Sequence, residues 1–596
     1  MSDPRQSAST PATVGEVVRV NGPIVHARNM AEAGMLEVVE VGDLRLIGEV
    51  IRLDDGTATL QVYENTSGLR PGEPVYCTRR PLSVKLGPGL LGNIYDGIQR
   101  PLERIMAASG AMIDRGEKPE ALDETRVWPF VPACEVGDEV APGSLFGLVQ
   151  ETGSIEHRLL VPPGSEGRVT QISPAGDYLG DQVVCRLTGT AGEQELSMCH
   201  YWPVRRPRPV GKRLAMGEPL TTGLRVIDTF FPLAKGGAAA IPGGFGTGKT
   251  MTQQSLAKWA EAQIIVYIGC GERGNEMTDV LKEFPQLVDP RSGRSLMERT
   301  ILIANTSNMP VAAREVSIYT GITLAEYYRD MGYDVAVMAD STSRWAEALR
   351  ELSGRLEEMP ADEGFPAYLP SRLAGFYERA GMVQTLSGER GSVSVIGAVS
   401  PPGGDFSEPV TQHTRRFIRC FWALDRLLAN GRHYPAISWL ESYSEYLGDI
   451  GDWWETHDAQ WRELRETLMN ILQEEVGLQR IAKLVGPDAL PDHQRLTLEL
   501  AELMKNAFLQ QNSFDEIDMY CAPAKQIWML RILTRFADRA RRVIQAGGTL
   551  PDIRSLTVMD RMVRMKSTIP NDDEAALQTL YDAVDGELEK LERRFA

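Results

Sequence analysis

Residues 243–250 carry the clearest chemistry in the chain, because they fit the pattern GxxxxGK[ST]. They follow a short apolar run at 239–242 and precede a stretch of helical composition at 251–262. Glycines in such a loop let backbone N–H groups turn towards a phosphate, and the positive end of the following helix favours the same anion. The spacing therefore predicts a nucleotide-binding phosphate loop. Its residues are Gly243, Gly244, Phe245, Gly246, Thr247, Gly248, Lys249 and Thr250.

The last two residues of the loop and one later carboxylate predict how magnesium is held. A lysine at position 249 reaches the β- and γ-phosphate oxygens, and a threonine hydroxyl at 250 coordinates Mg²⁺. Asp340 ends an apolar stretch at 334–339. A carboxylate at the end of a buried strand is how phosphate-loop enzymes hold magnesium through a water molecule. Mg²⁺ is therefore the predicted cofactor, with Thr250 and Asp340 as its binding residues.

A glycine-rich segment at 269–276 contains a carboxylate and an arginine side by side, Glu272 and Arg273. It follows the apolar run 264–268, and in open α/β sheets the carboxyl ends of the strands line the ligand crevice. A carboxylate there can polarise an attacking water, and an arginine can neutralise charge on a transferring phosphoryl group. The alternative is an ordinary surface ion pair. The three glycines and the position favour catalysis.

These residues need a sheet to position them, and the chain between about residues 211 and 440 has the pattern of one. Strand-like apolar runs alternate with helical stretches, which is typical of a mainly parallel sheet with crossover helices. The candidate strands are 239–242, 264–268, 301–304, 334–339 and 392–399.

The rest of the 596-residue chain predicts further domains. Short strands broken by Gly-Asp and Asp-Gly turns predict a small barrel near the N-terminus. Apolar stripes at helical spacing, such as Leu496, Leu500 and Leu503, predict helices near the C-terminus. The predicted architecture is a flexible tail over 1–13, an N-terminal β-barrel over 14–82, a connector over 83–110, a β-rich bulge insert over 111–203, an α/β phosphate-loop (RecA-like) nucleotide-binding core over 204–441 and a C-terminal helical bundle over 442–596.

The β-rich insert resembles the hammerhead of lipoyl and biotinyl carrier domains. A carrier needs a lysine at the tip of its hairpin, and the tip at 151–156 reads ETGSIE, without a lysine. We therefore expect a structural module to which no cofactor is attached.

Composition excludes several classes of protein. The 63 Lys and Arg against 81 Asp and Glu give a net charge of −18, which argues against a nucleic-acid-binding protein. No apolar run approaches the roughly 18 residues that cross a bilayer, so we expect any membrane role to be indirect. Seven cysteines are too few for a disulfide framework in a chain of this length, which favours a reducing compartment. They include no CxxC pair, which disfavours a zinc site.

The phosphate loop, the segment with Glu272 and Arg273 and the strand that ends at Asp340, in this order, resemble the catalytic A subunits of V-type and A-type rotary ATPases. The resemblance extends from about residue 14 to the C-terminus, and the insert matches a bulge that distinguishes these subunits. Further agreeing segments are TGLRVID at 222–228, KGG at 235–237, ADSTSRWAEA at 339–348, PPGGDFSEP at 401–409 and PAISWLESYS at 435–444.

The resemblance implies roles for single residues. Glu272 would orient or polarise the hydrolytic water, and Arg273 and Arg344 would face the γ-phosphate. Tyr434 and Phe508 are candidates for the adenine pocket, with a plain core role as the alternative for both. The implied catalytic residues are Lys249, Glu272, Arg273 and Arg344.

Two positions depart from the family's pattern. Thr247 stands where eukaryotic relatives carry a cysteine, so disulfide control at this position is not expected. Ser438 stands where Asn or Asp is usual, and it is not included among the site residues.

The resemblance also implies a function. The chain would be the catalytic subunit of a membrane-associated rotary ATPase that hydrolyses or synthesises ATP at interfaces with a non-catalytic B-type subunit in an alternating hexamer. A central rotor and peripheral stalks would couple it to H⁺ or Na⁺ transport, and it would be cytoplasmic, attached peripherally to the cytoplasmic face of the cell membrane, without binding nucleic acid.

Two other hypotheses share part of the evidence. A hexameric RNA-dependent helicase of the transcription-termination kind has the same core fold, but it would need a basic N-terminal nucleic-acid domain. A non-catalytic nucleotide-binding scaffold is the other, and the intact loop together with Glu272 and Arg273 argues against it.

Overall fold

The structure is a computed structural model that describes residues 14–110, 113–190, 192–289 and 292–595. The chain divides into two compact units. The first contains the described residues up to Leu214 together with Gly236–Ala238 and Ala262–Phe417. The second contains Ala215–Lys235, Ala239–Glu261 and the described residues from Ile418 onwards. The predicted tail over 1–13 lies outside the described residues.

The first unit begins with a closed antiparallel barrel. Alternate residues along its strands face the interior, as Val39 and Val41 do on one of them, and both are fully buried. Closing the sheet leaves no unpaired strand edge. Its strands are Val14–Asn21, Ile24–Arg28, Glu37–Val41, Leu46–Asp54, Thr57–Val62 and Pro74–Pro81.

The insert of the first unit consists of two antiparallel sheets around an aromatic core that includes Trp128, Phe130 and Phe146. One sheet contains Val127–Pro132, Leu145–Gln150, Glu156–Leu160 and Gly176–Leu179. The other contains Glu139–Val140, Gly167–Ile172, Val183–Gly189 and Gly192–Ser197. The insert lies between the strands Ser83–Leu86 and His200–Pro203 in sequence, and these two strands pair with each other.

The tip of the insert's hairpin is packed within the first unit. Glu151 is 4% exposed, and its Oε1 accepts hydrogen bonds from the backbone N–H groups of Gly89 at 2.8 Å and Leu91 at 3.1 Å. His157 Nδ1 lies 2.7 Å from Glu151 Oε2, and Tyr328 donates its hydroxyl to the same carboxylate. These contacts fix the hairpin to the connector and to the helix that carries Tyr328.

A parallel sheet forms the core of the first unit, with neighbours in the order Arg390–Val399, Asp334–Asp340, Ile264–Glu272, Thr300–Thr306 and Ile94–Tyr95. The strand Ile264–Glu272 is buried along nearly its whole length, as expected for a strand with both faces covered. Gly381–Gln384 adds an antiparallel strand beside Arg390–Val399, and Lys212–Arg213 pairs with it in turn.

Helices of the first unit connect these strands. The longest is Val311–Asp330, whose residues are almost all buried. The α-helices are Leu102–Ser109, Gly274–Glu283, Val311–Asp330, Thr342–Arg355, Leu369–Tyr377 and Pro409–Phe417, with short 3₁₀ turns at Phe284–Gln286, Leu296–Arg299, Asp362–Gly364 and Pro402–Gly404.

The second unit combines a short parallel strand pair with a helical bundle. The strand Ala238–Pro242, which starts at the boundary of the units, pairs in parallel with Cys420–Phe421, and Tyr443–Ser444 adds an antiparallel strand. The α-helices are Lys249–Trp259, Arg426–Asn430, Leu447–His457, Trp461–Val485, Asp492–Met504, Pro523–Gln545, Leu550–Arg554, Thr557–Thr568 and Glu574–Phe595. Further turns are π-helical at Val226–Phe230 and Lys505–Leu509 and 3₁₀ at Pro487–Ala489.

One buried arginine connects distant segments of the second unit. Arg225 is fully buried, and its Nη1 donates to Asp518 Oδ1 at 2.6 Å. Its Nε donates to the Phe508 carbonyl at 2.6 Å, and its Nη2 donates to the Gln510 carbonyl at 2.8 Å. A buried guanidinium with several acceptors is stable only while all of them are in place. Arg225 therefore fixes the segment 508–518 against residues 215–235.

The predicted fold class is confirmed: an N-terminal barrel, a β-rich insert, an α/β core and a helical C-terminal region are all present. The five candidate strands are confirmed and extend to 238–242, 264–272, 300–306, 334–340 and 390–399. The helix expected at 251–262 begins two residues earlier and ends at Trp259. The predicted domain boundaries stay predictions. Within the described residues, no helix is long and apolar enough to cross a bilayer.

The contact between the helices Pro523–Gln545 and Glu574–Phe595 generates a prediction about pH. Hydrogen bonds from Arg539 and Arg535 lower the pKa of Asp585 to about 2. A carboxylate with a lowered pKa stabilises the fold above its unfolded pKa of about 3.9, and this stabilisation is lost as the pH falls towards 2. We expect Asp585→Asn to lower the free energy of unfolding by about 1 kcal/mol at pH 7. The loss is this small because the two ion pairs of Asp585 are partly exposed, and water screens them.

The measurement is the thermal midpoint of the variant and its parent from pH 7 to pH 3. The difference should narrow below about pH 4, because the carboxylate of the unfolded chain takes up a proton there while that of the folded chain, with a pKa of about 2, is still ionised. Asp582→Asn is the matched control on the same helix, because Asp582 accepts a hydrogen bond only from the exposed Gln578 among the bonds described. A difference that stays constant over this range would contradict the assignment.

Candidate active site

The phosphate loop lies in the second unit, between the strand Ala238–Pro242 and the helix Lys249–Trp259. Gly246 and Gly248 have φ angles of 78° and 86°, a left-handed conformation that glycine adopts without steric cost. A Cβ on Gly243 would come within 2.8 Å of Leu424 Cβ. The glycines of the motif are therefore required by the backbone path and by close packing.

Polar groups of the loop converge on its own backbone. Lys249 Nζ lies 3.4 Å from the Gly243 carbonyl oxygen, so the lysine side chain folds back over the loop. The Thr247 hydroxyl donates to the Gly244 carbonyl at 2.8 Å. Thr250 is half-buried in the first turn of the helix. Phe245 is 81% exposed, so most of its ring faces solvent.

Tyr434 lies against the phosphate loop within the same unit. A Cβ placed on Gly248 would be 3.3 Å from Tyr434 Cε1, which puts the ring in contact with the loop's last glycine. The ring is 42% exposed, and the Tyr434 carbonyl accepts a hydrogen bond from Gln511 N at 2.8 Å. An aromatic face of this kind can cover a nucleotide base.

Phe508 is placed differently. Its side chain is fully buried, edge-to-face with Phe230 at a centroid distance of 6.0 Å and beneath the Arg225 guanidinium at 5.9 Å. The structure therefore places this ring in the core of the second unit, which favours the core role that the sequence left open. A contact between Phe508 and a nucleotide stays a prediction.

An exposed aromatic follows a few residues later and was missed by sequence reasoning. Phe514 is 85% exposed, and its backbone N–H donates to Asn512 Oδ1 at 3.0 Å. It belongs to the segment that begins at Gln511, the residue bonded to Tyr434. The signal that could have identified it is a lone aromatic in a polar, acidic segment between two helical stretches.

In the first unit, three parallel strands end side by side and bring the predicted residues together. Gly269 pairs with Asp340, and Glu272 pairs with Thr306 on the opposite side. Asp340 is 1% exposed and accepts a hydrogen bond from the Tyr267 hydroxyl at 3.2 Å. Burial, reinforced by the charge of Asp340, raises the pKa of Tyr267 well above its usual value. The tyrosine therefore stays a neutral hydrogen-bond donor that orients Asp340.

Glu272 is the last residue of its strand, and Arg273 caps the helix Gly274–Glu283 that follows. Arg273 is exposed, and its Nη1 lies 4.0 Å from Glu276 Oε1 on the same helix. The side chains of both residues thus leave the sheet at its carboxyl edge, where a ligand can reach them.

Arg344 lies beside the same segment. Gly271 has a φ of 72°, and a Cβ there would come within 2.8 Å of Arg344 Cβ. Arg344 Nη1 donates to Glu347 Oε2 at 2.9 Å. This hydrogen bond chiefly raises the pKa of Arg344, and the charges of Glu347 and Glu272 add to it. Arg344 is therefore a fixed positive charge near Glu272.

A second arginine in this cluster, Arg314, was not identified from the sequence. The same Cβ on Gly271 would lie 2.8 Å from Arg314 Cδ and 3.0 Å from its Nε. Arg314 Nη2 donates to the Ser307 carbonyl at 2.8 Å. No motif marks this residue, because its place near Glu272 depends on the packing of the helix Val311–Asp330 against the sheet.

The residues predicted to hold magnesium fit that ion by their chemistry. A threonine hydroxyl and a carboxylate are hard oxygen donors, and Mg²⁺ is usually held by one or two carboxylates together with phosphate oxygens and water. Within the described residues, no cluster of three or more His, Cys, Asp or Glu side chains is arranged for a metal ion.

Models of four protein families match successive parts of the chain. They are the β-barrel domain of the ATP synthase alpha/beta family over residues 17–79, the ATP synthase alpha/beta subunit barrel-sandwich domain over 119–205, the nucleotide-binding domain of the ATP synthase alpha/beta family over 223–444 and the C-terminal domain of V and A type ATP synthase over 451–552.

Curated relatives are similar over nearly the whole length. The V-type ATP synthase alpha chain of Halothermothrix orenii is 58% identical over 94% of this chain and 95% of the relative. The A subunit of the A-type ATP synthase of Methanopyrus kandleri is 57% identical over 97% of this chain and 98% of the relative. The corresponding protein of Thermococcus onnurineus is 56% identical over 98% of this chain and 100% of the relative.

Among solved structures, the assembled ATPase EscN of the type III secretion system of enteropathogenic E. coli is similar with a TM-score of 0.64. The similarity covers 87% of this chain and 99% of that chain at 21% sequence identity. At this identity the match concerns the fold alone.

The geometry of the phosphate loop generates a prediction for Lys249. We expect Lys249→Ala to abolish ATP turnover while the chain still folds and assembles, because the ammonium group stabilises charge on the transferring phosphoryl group, worth several kcal/mol in the transition state. The measurement is phosphate release, with circular dichroism and native mass to check folding and assembly.

Lys258→Ala is the control on the same helix, since Lys258 lies over the Trp259 ring at 4.9 Å and not in the loop. It should keep the parent's turnover. Near-normal turnover by an assembled Lys249→Ala variant would show that this loop is not the catalytic one.

Proposed function

The chain belongs to the ATP synthase alpha/beta family and, within it, to the A subunits or alpha chains of V-type and A-type ATP synthases, and we propose that ATP is hydrolysed or synthesised on it. It is thus the catalytic subunit of a rotary ATPase that couples this reaction to ion transport. The observation that supports the catalytic assignment best is the convergence of Glu272, Asp340 and Arg344 at the carboxyl edge of one parallel sheet.

We propose that Glu272 polarises the attacking water. Its carboxylate would accept a proton from the water as the water oxygen attacks the γ-phosphorus and the bond from that phosphorus to the bridging oxygen breaks. ADP and inorganic phosphate are the products, and the carboxylate passes the proton on to the phosphate. General-base assistance of this kind contributes about 10²–10⁴ in rate. Synthesis is the same path in reverse, with water as the leaving group.

Positive groups would stabilise the charge that develops on the phosphoryl oxygens. Lys249 would supply one from the phosphate loop, Arg273 another from the position after Glu272, and Arg344 a third from the helix Thr342–Arg355. Arg344 is held by Glu347, so its guanidinium is oriented before the nucleotide binds. Charges that need no reorganisation during the reaction are the most effective ones.

Thr250 and Asp340 are the proposed magnesium-binding residues. The ion, bound together with ATP or ADP, would neutralise charge on the phosphates. The Tyr267 hydroxyl donates a hydrogen bond to one oxygen of Asp340. The orientation of the carboxylate is therefore set by the fold.

We further propose that the adenine base stacks on Tyr434, whose half-exposed ring lies against Gly248 of the loop. Phe514 is the proposed second aromatic, since it is exposed on the segment bonded to Tyr434. Phe508 would take part only through the core that supports this segment, because its ring is fully buried.

The proposed partners are a non-catalytic B-type subunit, with which this chain would alternate in a hexamer, and the central rotor and peripheral stalk subunits of the same enzyme. The proposed location is the cytoplasmic face of the cell membrane, through attachment to an ion-translocating sector that moves H⁺ or Na⁺. Membership of the family decides against the helicase hypothesis. Measured turnover separates a catalytic subunit from a scaffold.

Glu272→Gln tests the assignment of the polarising carboxylate. We expect the variant to bind MgATP with the parent's affinity but to hydrolyse it at least about 100-fold more slowly, because the amide keeps the shape but loses the charge. Binding would be measured by titration with a fluorescent ATP analogue, and turnover by phosphate release.

Glu283→Gln, at the end of the following helix, is the control and should behave as the parent does. A Glu272→Gln variant that loses nucleotide affinity but keeps its rate would assign this carboxylate to binding instead.

The partner proposal has its own test. An arginine finger in trans is worth roughly 10³–10⁵ in rate, and we propose that the B-type subunit supplies it. The purified chain should therefore bind nucleotide but turn it over weakly, and the B-type subunit should raise turnover by orders of magnitude. The measurement is phosphate release against partner concentration, with native mass of the same samples, and full activity of the isolated chain would refute a shared site.

A further inference from the structure

We propose that Arg314 is a positioning residue for Glu272: it fixes the backbone of the segment 271–273 and so sets the direction of the carboxylate. This inference rests on the proposed function, because it requires Glu272 to polarise the attacking water. It adds a residue that neither the sequence motifs nor the matched families' descriptions assign.

The first observation is how closely Arg314 lies against the segment. Gly271 has a φ of 72°, and a Cβ there would lie 2.8 Å from Arg314 Cδ and 3.0 Å from Arg314 Nε. Arg344 Cβ would lie at 2.8 Å from the same point. The backbone at Gly271 thus fits between two arginine side chains from the beginnings of two different helices. Any other residue at 271 would separate them.

The second observation is a chain of hydrogen bonds from Arg314 to Glu272. Arg314 Nη2 donates to the Ser307 carbonyl at 2.8 Å, and Ser307 N donates to the Glu272 carbonyl at 2.9 Å. Ser307 directly follows the strand Thr300–Thr306, the neighbour with which Glu272 pairs. The Arg314 guanidinium therefore holds Ser307, which follows the strand Thr300–Thr306. Ser307 in turn holds Glu272, the last residue of the strand Ile264–Glu272.

The third observation is that the strand Ile264–Glu272 also bonds back to Arg314, through the Arg314 carbonyl oxygen. Its carbonyl accepts weak hydrogen bonding from Cys270 Sγ at 3.5 Å and a hydrogen bond from Ser317 Oγ at 2.8 Å. Burial raises the pKa of the Cys270 thiol to about 12, so this group stays a neutral donor. The start of the helix Val311–Asp330 and the end of the strand Ile264–Glu272 are thus connected twice. One connection runs through the Arg314 side chain and Ser307, and the other through the Arg314 carbonyl and Cys270.

The fourth observation concerns what Arg314 does not bond. Its Nε–H is buried and has no acceptor among the described residues. A buried N–H without an acceptor costs about 1–3 kcal/mol, so packing alone does not account for a guanidinium at this position. The Arg314 side chain contacts Gly271 and donates a hydrogen bond to Ser307. Both interactions restrain the segment that carries Glu272.

A positioning role predicts a specific kinetic signature. Displacing a catalytic group by about 1 Å can reduce the rate by about 100-fold, and a group that acts only in the transition state changes kcat and leaves KM. In the assembled complex we expect Arg314→Gln to lower kcat by about 10- to 100-fold, with KM for MgATP changed by less than about threefold. Arg314→Lys keeps one donor for Ser307 and should lose less.

Arg158→Gln is the matched control. Arg158 Nη1 donates to the Met331 carbonyl at 2.7 Å, immediately after the other end of the helix Val311–Asp330. A helix of 20 residues is about 30 Å long, so this arginine makes the same kind of bond far from Glu272. Its variant should lower the thermal midpoint about as much as Arg314→Gln does but keep kcat.

A double variant separates this inference from the proposed function. If Arg314 acts through Glu272, then Glu272→Gln combined with Arg314→Gln should be no slower in single turnover than Glu272→Gln alone. Independent, multiplying losses would overturn the inference, and so would a kcat of Arg314→Gln within about threefold of the parent. A Glu272→Gln variant with normal turnover would instead refute the proposed function. If Arg314→Gln fails to assemble, Arg314→Lys is measured in its place. A kcat lowered by more than about threefold with an unchanged KM would support the inference, and a kcat within about threefold of the parent would overturn it.

Discussion

The in-register pairing of the strand Ile264–Glu272 with both of its parallel neighbours is the constraint on which the candidate site of the first unit depends. Gly269 pairs with Asp340 on one side, and Glu272 pairs with Thr306 on the other. A slip of one residue would turn each of these side chains to the opposite face of the sheet. The register shifts between Cys270 and Glu272, where Gly271 has its positive φ, and the strand ends at Glu272 directly afterwards. Pairing thus decides both which residues meet and where the chain turns out towards a ligand.

The second unit depends on a buried charge. Arg225 donates to Asp518 and to the carbonyls of Phe508 and Gln510, and its own backbone N–H donates to Gln511 Oε1 at 3.0 Å. Gln511 N in turn donates to the Tyr434 carbonyl, and the Tyr434 ring lies against Gly248. The position of the aromatic beside the phosphate loop is therefore determined by an arginine that itself never meets solvent. The desolvation cost of that arginine is offset only by this full set of acceptors.

The features that the sequence made predictable are local or periodic. The strands were recognisable from apolar runs, and the phosphate loop from glycines at positions such as Gly246 and Gly248, whose φ angles require them. Phe508 was a candidate for the adenine pocket and Phe514 was not, because no local pattern of residues says which aromatic ring is buried and which is exposed. The Arg225 guanidinium lies over the buried Phe508 ring, whereas Phe514 is exposed, and only the polar, acidic residues around Phe514 hint at this difference. Arg314 was out of reach for the same reason, since its contact with Gly271 joins the start of a helix to the end of an earlier strand.

The arginines around Glu272 show why such contacts matter for catalysis. Three of them lie on or beside one short segment, yet each has a partner of its own. Arg344 bonds Glu347, Arg273 lies near Glu276, and Arg314 bonds the Ser307 carbonyl. Partners on the same helix or the adjoining loop hold Arg344 and Arg314 in place whether or not a nucleotide is bound, whereas Arg273 is exposed and lies 4.0 Å from its partner. If ATP is hydrolysed beside Glu272, as we propose, the Arg344 guanidinium is a charge whose orientation was fixed during folding, and that is the condition under which electrostatic stabilisation of a transition state is largest.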